Sequence, residues 1–353
     1  MLVDSISLQN FRSFTEATFE PSPSVNVIYG DNAVGKTNFL ESIWMFTGCK
    51  SFRGTRDSGL VSFDAEFARN EIRFHSCGRE QKCVMLIDKK RQASLNGVRL
   101  DSVTELFGVF PCVVFAPNHL SLVKGSPADR RKFLDTAICI QKPTYARILS
   151  DYVDVLAQRN SLLKAQNSPY FSDMLDILDS KISACSRAVS DVRYAFINEL
   201  FEAALGVYDG ISNNKEKLKL RYVSVLPKDF SGGTYEEMYR MARAEDLENG
   251  YTKYGPHRDD IEIIIDGKSA KGYGSQGQQR SAALALKLAS AGMIEKKIGE
   301  KPIILLDDVM SELDACRQDY ILNRLVGFQV FITCCDKNAV KQMENGKMFH
   351  VKQ

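Results

Sequence analysis

Residues 30–37 read Gly30-Asp31-Asn32-Ala33-Val34-Gly35-Lys36-Thr37, a complete G-x-x-x-x-G-K-T phosphate-binding loop, and no other feature restricts the possible folds as much. The motif works only between a strand and a helix, because the helix must aim its positive N-terminal end at an anion. Both neighbours are legible: Val25 to Tyr29 has the apolar pattern of a short strand, and Thr37 to Phe46 reads as a helix. Glycines at the two ends let consecutive N–H groups approach phosphate oxygens without a side chain in the way. Lys36 is expected to place its charge between the β- and γ-phosphates and Thr37 to offer a hydroxyl oxygen to Mg²⁺. Gly30, Asp31, Asn32, Ala33, Val34 and Gly35 complete the cradle of a nucleoside triphosphate.

A second half of such a site stands near the other end of the chain. Ile303-Ile304-Leu305-Leu306-Asp307-Asp308 is an apolar run ending in two carboxylates, the pattern of a buried parallel strand that delivers acids to its C-terminal edge. Asp307 would hold Mg²⁺, directly or through water, and Asp308 would orient and deprotonate the attacking water. An aspartate at a strand end often only caps the next loop; the partnership with a phosphate loop is what gives the pair its meaning.

Composition narrows the class further. At 353 residues the chain suffices for about two domains of roughly 150 residues, and 44% hydrophobic with 25% charged residues is a globular balance. No run approaches the roughly 20 apolar residues of a membrane span, and residues 1–10 lack the basic start and apolar stretch of a secretory signal, so cytoplasmic residence is expected. Nine cysteines without a C-x-x-C pair read as reduced thiols, with Cys334 and Cys335 as packing residues of an apolar strand. A net charge of +2 does not announce nucleic-acid binding, so any DNA surface must come from local clustering.

Between the two halves the texture changes. Strand patterns fill the first third, with Asn96-Gly97 between apolar runs marking a hairpin. Ser126-Pro127-Ala128-Asp129 then supplies an N-cap, a first-turn proline and an acid three residues after the cap, which predicts a helix start. Helical patterning continues to about Leu205, with breaks near Pro143 and at Asn167-Ser168-Pro169. Ile148, Tyr152, Val155, Leu156, Leu162 and Leu163 form one stripe, suited to a paired-helix arm that is either long and thin or folded back. Strand patterns return at residues 261–265 and 303–306.

Gly274-Ser275-Gln276-Gly277-Gln278-Gln279-Arg280 precedes an alanine- and leucine-rich helix beginning near Ser281. In its S-x-G-Q form this segment resembles the signature of ATP-binding-cassette ATPases, and Ser311-Glu312-Leu313-Asp314 resembles the loop after their acidic strand. More than two hundred residues separate Lys36 from Ser275, unlike a transporter cassette. The layout resembles SMC-type ATPases, and within them the RecF family, on residues spread over almost the whole chain. Among these are Leu8-Gln9-Asn10-Phe11-Arg12, Asn38-Phe39-Leu40-Glu41, Ser51-Phe52-Arg53, Gln158-Arg159-Asn160 and Gly255-Pro256-His257-Arg258-Asp259-Asp260. The resemblance implies an α/β, ABC-type (SMC-like) ATPase head built from both chain ends, residues 1–123 and 249–353, around an inserted helical arm, residues 124–248. It implies ATP with Mg²⁺, and Asn38, Ser275, Gly277 and Gln278 as further nucleotide contacts. Ser275 joins Lys36 and Asp308 in catalysis, by closing onto the γ-phosphate held by a second copy in an ATP-dependent homodimer. It also implies weak, DNA-stimulated ATP hydrolysis, binding to duplex DNA, to single-strand/duplex junctions and to single strands, and work with RecR and RecO, and indirectly RecA, in repair and replication. Two positions depart from the cassette pattern: Thr333 stands near the usual switch histidine, and Asn118 is the nearest candidate for the usual loop glutamine.

Two stretches carry a local basic excess that could meet DNA phosphates without reading sequence. Residues 124–164 hold eight basic residues (Lys124, Arg130, Arg131, Lys132, Lys142, Arg147, Arg159, Lys164) against four acids; residues 50–100 hold eleven, Lys89, Lys90 and Arg91 among them, against six. His257 reads as a hydrogen-bonding turn residue rather than a catalytic one. Two alternatives are an SMC-like ATPase coupled to a nuclease, which needs a further carboxylate-rich metal site, and a transporter's ATP-binding subunit.

Overall fold

Alternation of buried and outward-facing residues is clearest in the strand from Ala68 to Ser76. In the computed structural model, which describes residues 1–165, 169–226, 233–335 and 346–351, this strand buries Ala68, Asn70, Ile72 and Phe74 and turns Arg69, Glu71, Arg73 and His75 to the other face. The chain divides into two compact units, residues 1–119 with 284–353, and residues 120–283.

The first unit begins with β1 (Leu2–Phe11), β2 (Phe14–Phe19), β3 (Val25–Tyr29), α1 (Lys36–Met45), β4 (Ala68–Ser76), β5 (Arg79–Ile87), β6 (Arg91–Leu95), β7 (Val98–Arg99) and β8 (Cys112–Phe115). Asn96 and Gly97 both have positive φ in the β6–β7 hairpin, as the Asn-Gly signal requires. After the second unit the chain returns through α8 (Gln276–Ile298), β12 (Ile303–Asp307), α9 (Ala315–Arg324), β13 (Val330–Cys334) and β14 (Lys347–His350). Antiparallel pairing gives a sheet of order β2-β1-β4-β5-β6-β7, and parallel pairing gives a second sheet of order β14-β3-β13-β12-β8. Helix α1 is packed between them: Phe39 meets Phe19 of β2 at 4.4 Å and Phe331 of β13 at 6.1 Å between ring centroids.

The second unit holds α2 (Ser121–Lys124), α3 (Pro127–Gln141), α4 (Thr144–Lys164), α5 (Phe171–Ser212), β9 (Leu218–Val223), α6 (Tyr235–Asn249), β10 (Asp260–Ile265), β11 (Lys268–Ser269), α7 (Ala270–Tyr273) and the start of α8. The expected capping box is present: Ser126 N–H donates to Asp129 Oδ2 at 2.8 Å, and Asp129 N–H donates to Ser126 Oγ at 3.4 Å. Leu162 and Leu163 of α4 pack with Leu175 and Leu178 of α5. Helix α6 then lies along α5, with hydroxyl bonds Ser186–Tyr239 at 2.8 Å and Ser190–Tyr235 at 2.6 Å. The inserted region is therefore a folded-back layer of three helices, not a thin pair. Residues 249–283 fall in this unit rather than in the first because β10 pairs with β9 along residues 260–265. The break expected at Asn167 and Ser168 lies outside the described residues.

Candidate nucleotide site

Parallel strand order decides which side chains meet. Since β3, β13 and β12 are parallel neighbours, their C-terminal ends share one edge of the sheet, and register sets Asp307 beside Thr333 and Thr333 beside Ile28. The phosphate loop leaves that edge at Gly30. Gly30 (φ +154°) and Gly35 (φ +109°) both need glycine's conformational freedom, and neither has room for a side chain. An added Cβ would stand 2.5 Å from the Val351 carbonyl oxygen at Gly30 and 2.3 Å from Ser13 Oγ at Gly35. Gly35 caps α1, whose first turn carries no acidic residue, so nothing in that turn opposes an anion at the helix's positive end. Lys36 is buried and donates from Nζ to the carbonyl oxygens of Gly30 and Asp31, each at 2.8 Å. Those partners are neutral dipoles, so neither of them competes as an anion with an incoming phosphate.

On the acidic side, Asp307 Oδ1 accepts hydrogen bonds from Thr37 Oγ1 and from Thr333 Oγ1, both at 2.9 Å. Burial pushes the Asp307 carboxyl above its ordinary range; the two hydroxyls and the positive charge of Arg53 oppose the shift, and Asp308 adds to it. A buried carboxylate held by hydroxyls rather than by a cation suits a divalent ion. Thr37 and Asp307 are hard oxygen donors at one point, the sparse protein set that Mg²⁺ takes when waters and phosphates fill its remaining positions. Among the described residues no group of three or more His, Cys, Asp and Glu side chains could hold a metal without such help. Asp308 follows with φ +52°, half-buried, its N–H donating to Thr333 Oγ1 at 2.9 Å and its carbonyl accepting from Ser311 Oγ at 2.8 Å.

Around the loop runs a polar network drawn from three segments distant in sequence. Arg12 pairs with both oxygens of the fully buried Glu41 and with Thr55 Oγ1, and Ser51 donates to the same carboxylate. Arg53 Nη1 donates to Asn38 Oδ1 at 2.8 Å, and Asn38 Nδ2 donates to Ser13 Oγ at 3.0 Å. Asn38 thus ties the β1–β2 turn to Arg53, a half-exposed cation close enough to act on Asp307. The RecF-type segments around Arg12 and Arg53 were the signal for it; their convergence was not readable from spacing.

The signature segment lies in the second unit. Ser275 is exposed and caps α8: its Oγ accepts from Gln278 N–H at 3.2 Å while Gln278 Oε1 accepts from Ser275 N–H at 2.8 Å. Gln278 Nε2 also reaches Glu216 at 3.1 Å, and Gly277 stands within the first turn. The serine, the glycine and the N–H groups of that turn therefore present one preorganised helix end.

Four of the arginines expected to face DNA are otherwise engaged. Arg130 is buried, in a two-point pair with Asp260 at 2.6 and 2.8 Å; Arg159 is fully buried between Asp179 and Asp246, at 2.7 and 2.6 Å. Arg131 donates to the Asp259 carbonyl at 2.7 Å, and Arg91 is held by Asp57 and the Cys49 carbonyl. Local charge counting fails here because acids distant in sequence fold onto these cations. Lys124, Lys132, Lys142, Arg147, Lys164, Lys89 and Lys90 remain exposed. Of the vicinal cysteines only Cys334 is a packing residue. Cys335 is exposed at the end of β13, its thiol 3.0 Å from Asn32 Oδ1 and 3.8 Å from Lys36 Nζ, because alternation along a strand turns successive side chains apart. His257 is a turn residue, bonded through Nδ1 to Tyr152 at 2.5 Å and through Nε2 to the Thr252 carbonyl at 3.1 Å. The Asn118 side chain lies outside the described part.

A phosphate loop, an acid-tipped parallel strand two places away and an antiparallel sheet covering the loop helix define a nucleotide-binding head of the ABC type, assembled from both ends of the chain. The chain belongs to the family described as RecF/RecN/SMC N terminal domain, which matches residues 2–353. It is 37% identical to the DNA replication and repair protein RecF of Agathobacter rectalis, over 99% of this chain and 97% of that one. To the RecF of Bacillus subtilis it is 36% identical, over 99% and 98%. Its structure resembles that of the recombination mediator protein RecF with ATP in the RecFOR pathway (TM-score 0.92, 35% identity, 99% and 95% of the two chains). An Smc head bound to the C-terminal winged-helix domain of ScpA shares the fold (TM-score 0.56, 16% identity, 99% and 94%). Among the described residues no helix is long and apolar enough to cross a membrane.

Proposed function

We propose that this chain is an ATP-dependent DNA-binding protein of recombinational repair and replication, which binds duplex DNA near single-strand gaps and, with RecR and RecO, helps RecA load. The observation that carries the reading is the junction of Lys36, Thr37 and Asp307 at one sheet edge, in a chain that aligns along almost its entire length with RecF proteins. Lys36 neutralises the β- and γ-phosphates, and Thr37 with Asp307 would hold Mg²⁺, which when bound would draw charge from the phosphate oxygens. Asp308 takes the proton of the attacking water. Ser275 and the start of α8 close on the γ-phosphate held by a second copy, so ATP drives head-to-head dimerisation. Slow, DNA-stimulated hydrolysis then releases the pair, as in a switch. Lys89, Lys90 and the exposed lysines near α3 and α4 supply sequence-independent phosphate contacts.

Ser275→Arg tests this reading, since it sets a large cation where a second head must approach. ATP binding to the monomer should persist and ATP-induced dimerisation, read by light scattering, should be lost; normal dimerisation would remove Ser275 from the interface. Loss of the cap alone costs about 1 kcal/mol, so a melting curve separates unfolding from failed closure.

A further inference from the structure

Thr333 is 1% exposed and makes two hydrogen bonds of opposite sense with one oxygen. Asp308 N–H can only donate, so at 2.9 Å Thr333 Oγ1 accepts from it; the hydroxyl proton is then left for Asp307 Oδ1, also at 2.9 Å. We propose that Thr333 is the positioning residue that sets the two acids of the site relative to each other, anchoring the Asp307 carboxylate on one side and the backbone of Asp308 on the other. The inference rests on the reading of Asp308 as the group that takes water's proton.

Three features carry it. Asp308 sits at φ +52°, where a residue with a side chain costs about 1–3 kcal/mol and persists only when its surroundings impose it. What imposes it here is Thr333 on the N–H side and Ser311 on the carbonyl side. Next, Thr333 reaches the acids because β13 lies between β3 and β12 with Thr333 in register with Asp307, so its placement is as rigid as the sheet. Finally, the other hydroxyl on Asp307 belongs to Thr37, which would also serve a bound Mg²⁺, whereas both bonds of Thr333 go to the acids themselves. Without that hydroxyl Asp308 N–H loses its acceptor and the turn is free to relax to negative φ, which re-aims the carboxylate.

Thr333→Val keeps the shape and removes the hydroxyl; Thr333→Ser keeps the hydroxyl. Single-turnover ATP hydrolysis and ATP affinity are measured on the full chain for both, beside Asp308→Asn. Thr333→Val should slow hydrolysis by about 10–100-fold, the scale of a misaligned reacting group, with ATP affinity held within about threefold, and Thr333→Ser should restore the rate to within about threefold of the parent. A purely structural role would move affinity and melting temperature together and would not be rescued by serine. Parental hydrolysis by Thr333→Val, or a serine variant as slow as the valine one, overturns the proposal while leaving the Asp308 reading intact. Parental hydrolysis by Asp308→Asn overturns that reading and this inference with it. If Thr333→Val does not fold, Thr333→Cys, with a weakly bonding thiol of similar size, is held to the same criteria.

Discussion

The phosphate loop and the second unit treat buried charge in opposite ways. At the phosphate loop, Lys36 is bonded to two carbonyls and Asp307 to two hydroxyls, so each charged group is hydrogen-bonded by neutral partners. In the second unit, Arg159 lies between Asp179 and Asp246, Arg193 pairs with Asp135, and Arg130 with Asp260. A charge matched by an opposite charge is a structural element with nothing left to offer a ligand. One matched only by dipoles still gains free energy from an incoming phosphate or cation. Burial alone therefore does not distinguish a binding site from a scaffold; the identity of the partner does.

The comparison is broken most severely at Arg159. Replacing it with Met takes the guanidinium partner from the buried Asp246 and leaves Asp179 with Arg243 alone, and chemical denaturation should show a loss of about 3–5 kcal/mol. Nucleotide affinity of the fraction that folds should be unchanged; a neutral effect on stability would mean the network is not the scaffold described. Lys36→Ala should do the reverse, weakening ATP binding by about 10²-fold through loss of one charge-assisted contact while the melting temperature of the free protein stays close to the parent's. A smaller effect sharpens the contrast between engaged and free cations. Neutralising Lys89 with Lys90 should make the slope of log DNA affinity against log salt shallower by about 0.9 for each true contact on duplex DNA, whereas Arg130→Gln should leave the slope alone and lower stability. If Arg130→Gln flattens the slope, its pairing with Asp260 is not retained on DNA.

The smallest effect concerns pH. Burial, helped by Arg258, Arg131 and Arg193, pulls the His257 imidazole from its ordinary value near 6.5 down to about 4. Between those values the unfolded chain binds a proton that the folded chain does not, so the His257 contribution to stability is present above pH 6.5 and fades as pH falls towards 4. Thermal melts of His257→Gln and parent should therefore converge on acidification over that window; a constant offset would assign the difference to packing.

Much of the head was legible because its chemistry is local. The loop at 30–37, the strand Val25–Tyr29 before it and the strand Ile303–Asp307 appear where periodicity and glycine placement put them. The Ser126 cap and the Asn96-Gly97 hairpin are equally local, each set by interactions within a few residues. Helix α6 and strand β9 were not anticipated, since their apolar faces are short and gain definition only from tertiary partners, α5 for the helix and β10 for the strand. The basic cluster at 124–164 was misread in part for the same reason: Asp179, Asp246 and Asp260 are far away in sequence and adjacent in space.

Sequence by itself thus determined that a phosphate loop and an acidic strand share one chain, since each depends on dihedral freedom and apolar runs within a few residues. Only the tertiary structure decided which strand separates them and which groups answer each charge. The order β3-β13-β12 places Thr333 between loop and acids; the cassette resemblance singled out Thr333 as standing near the usual switch histidine, but not its bonds to Asp307 and Asp308. Strand order is set by how whole sheet faces bury against α1 and against one another, a sum over many weak contacts that no short segment encodes.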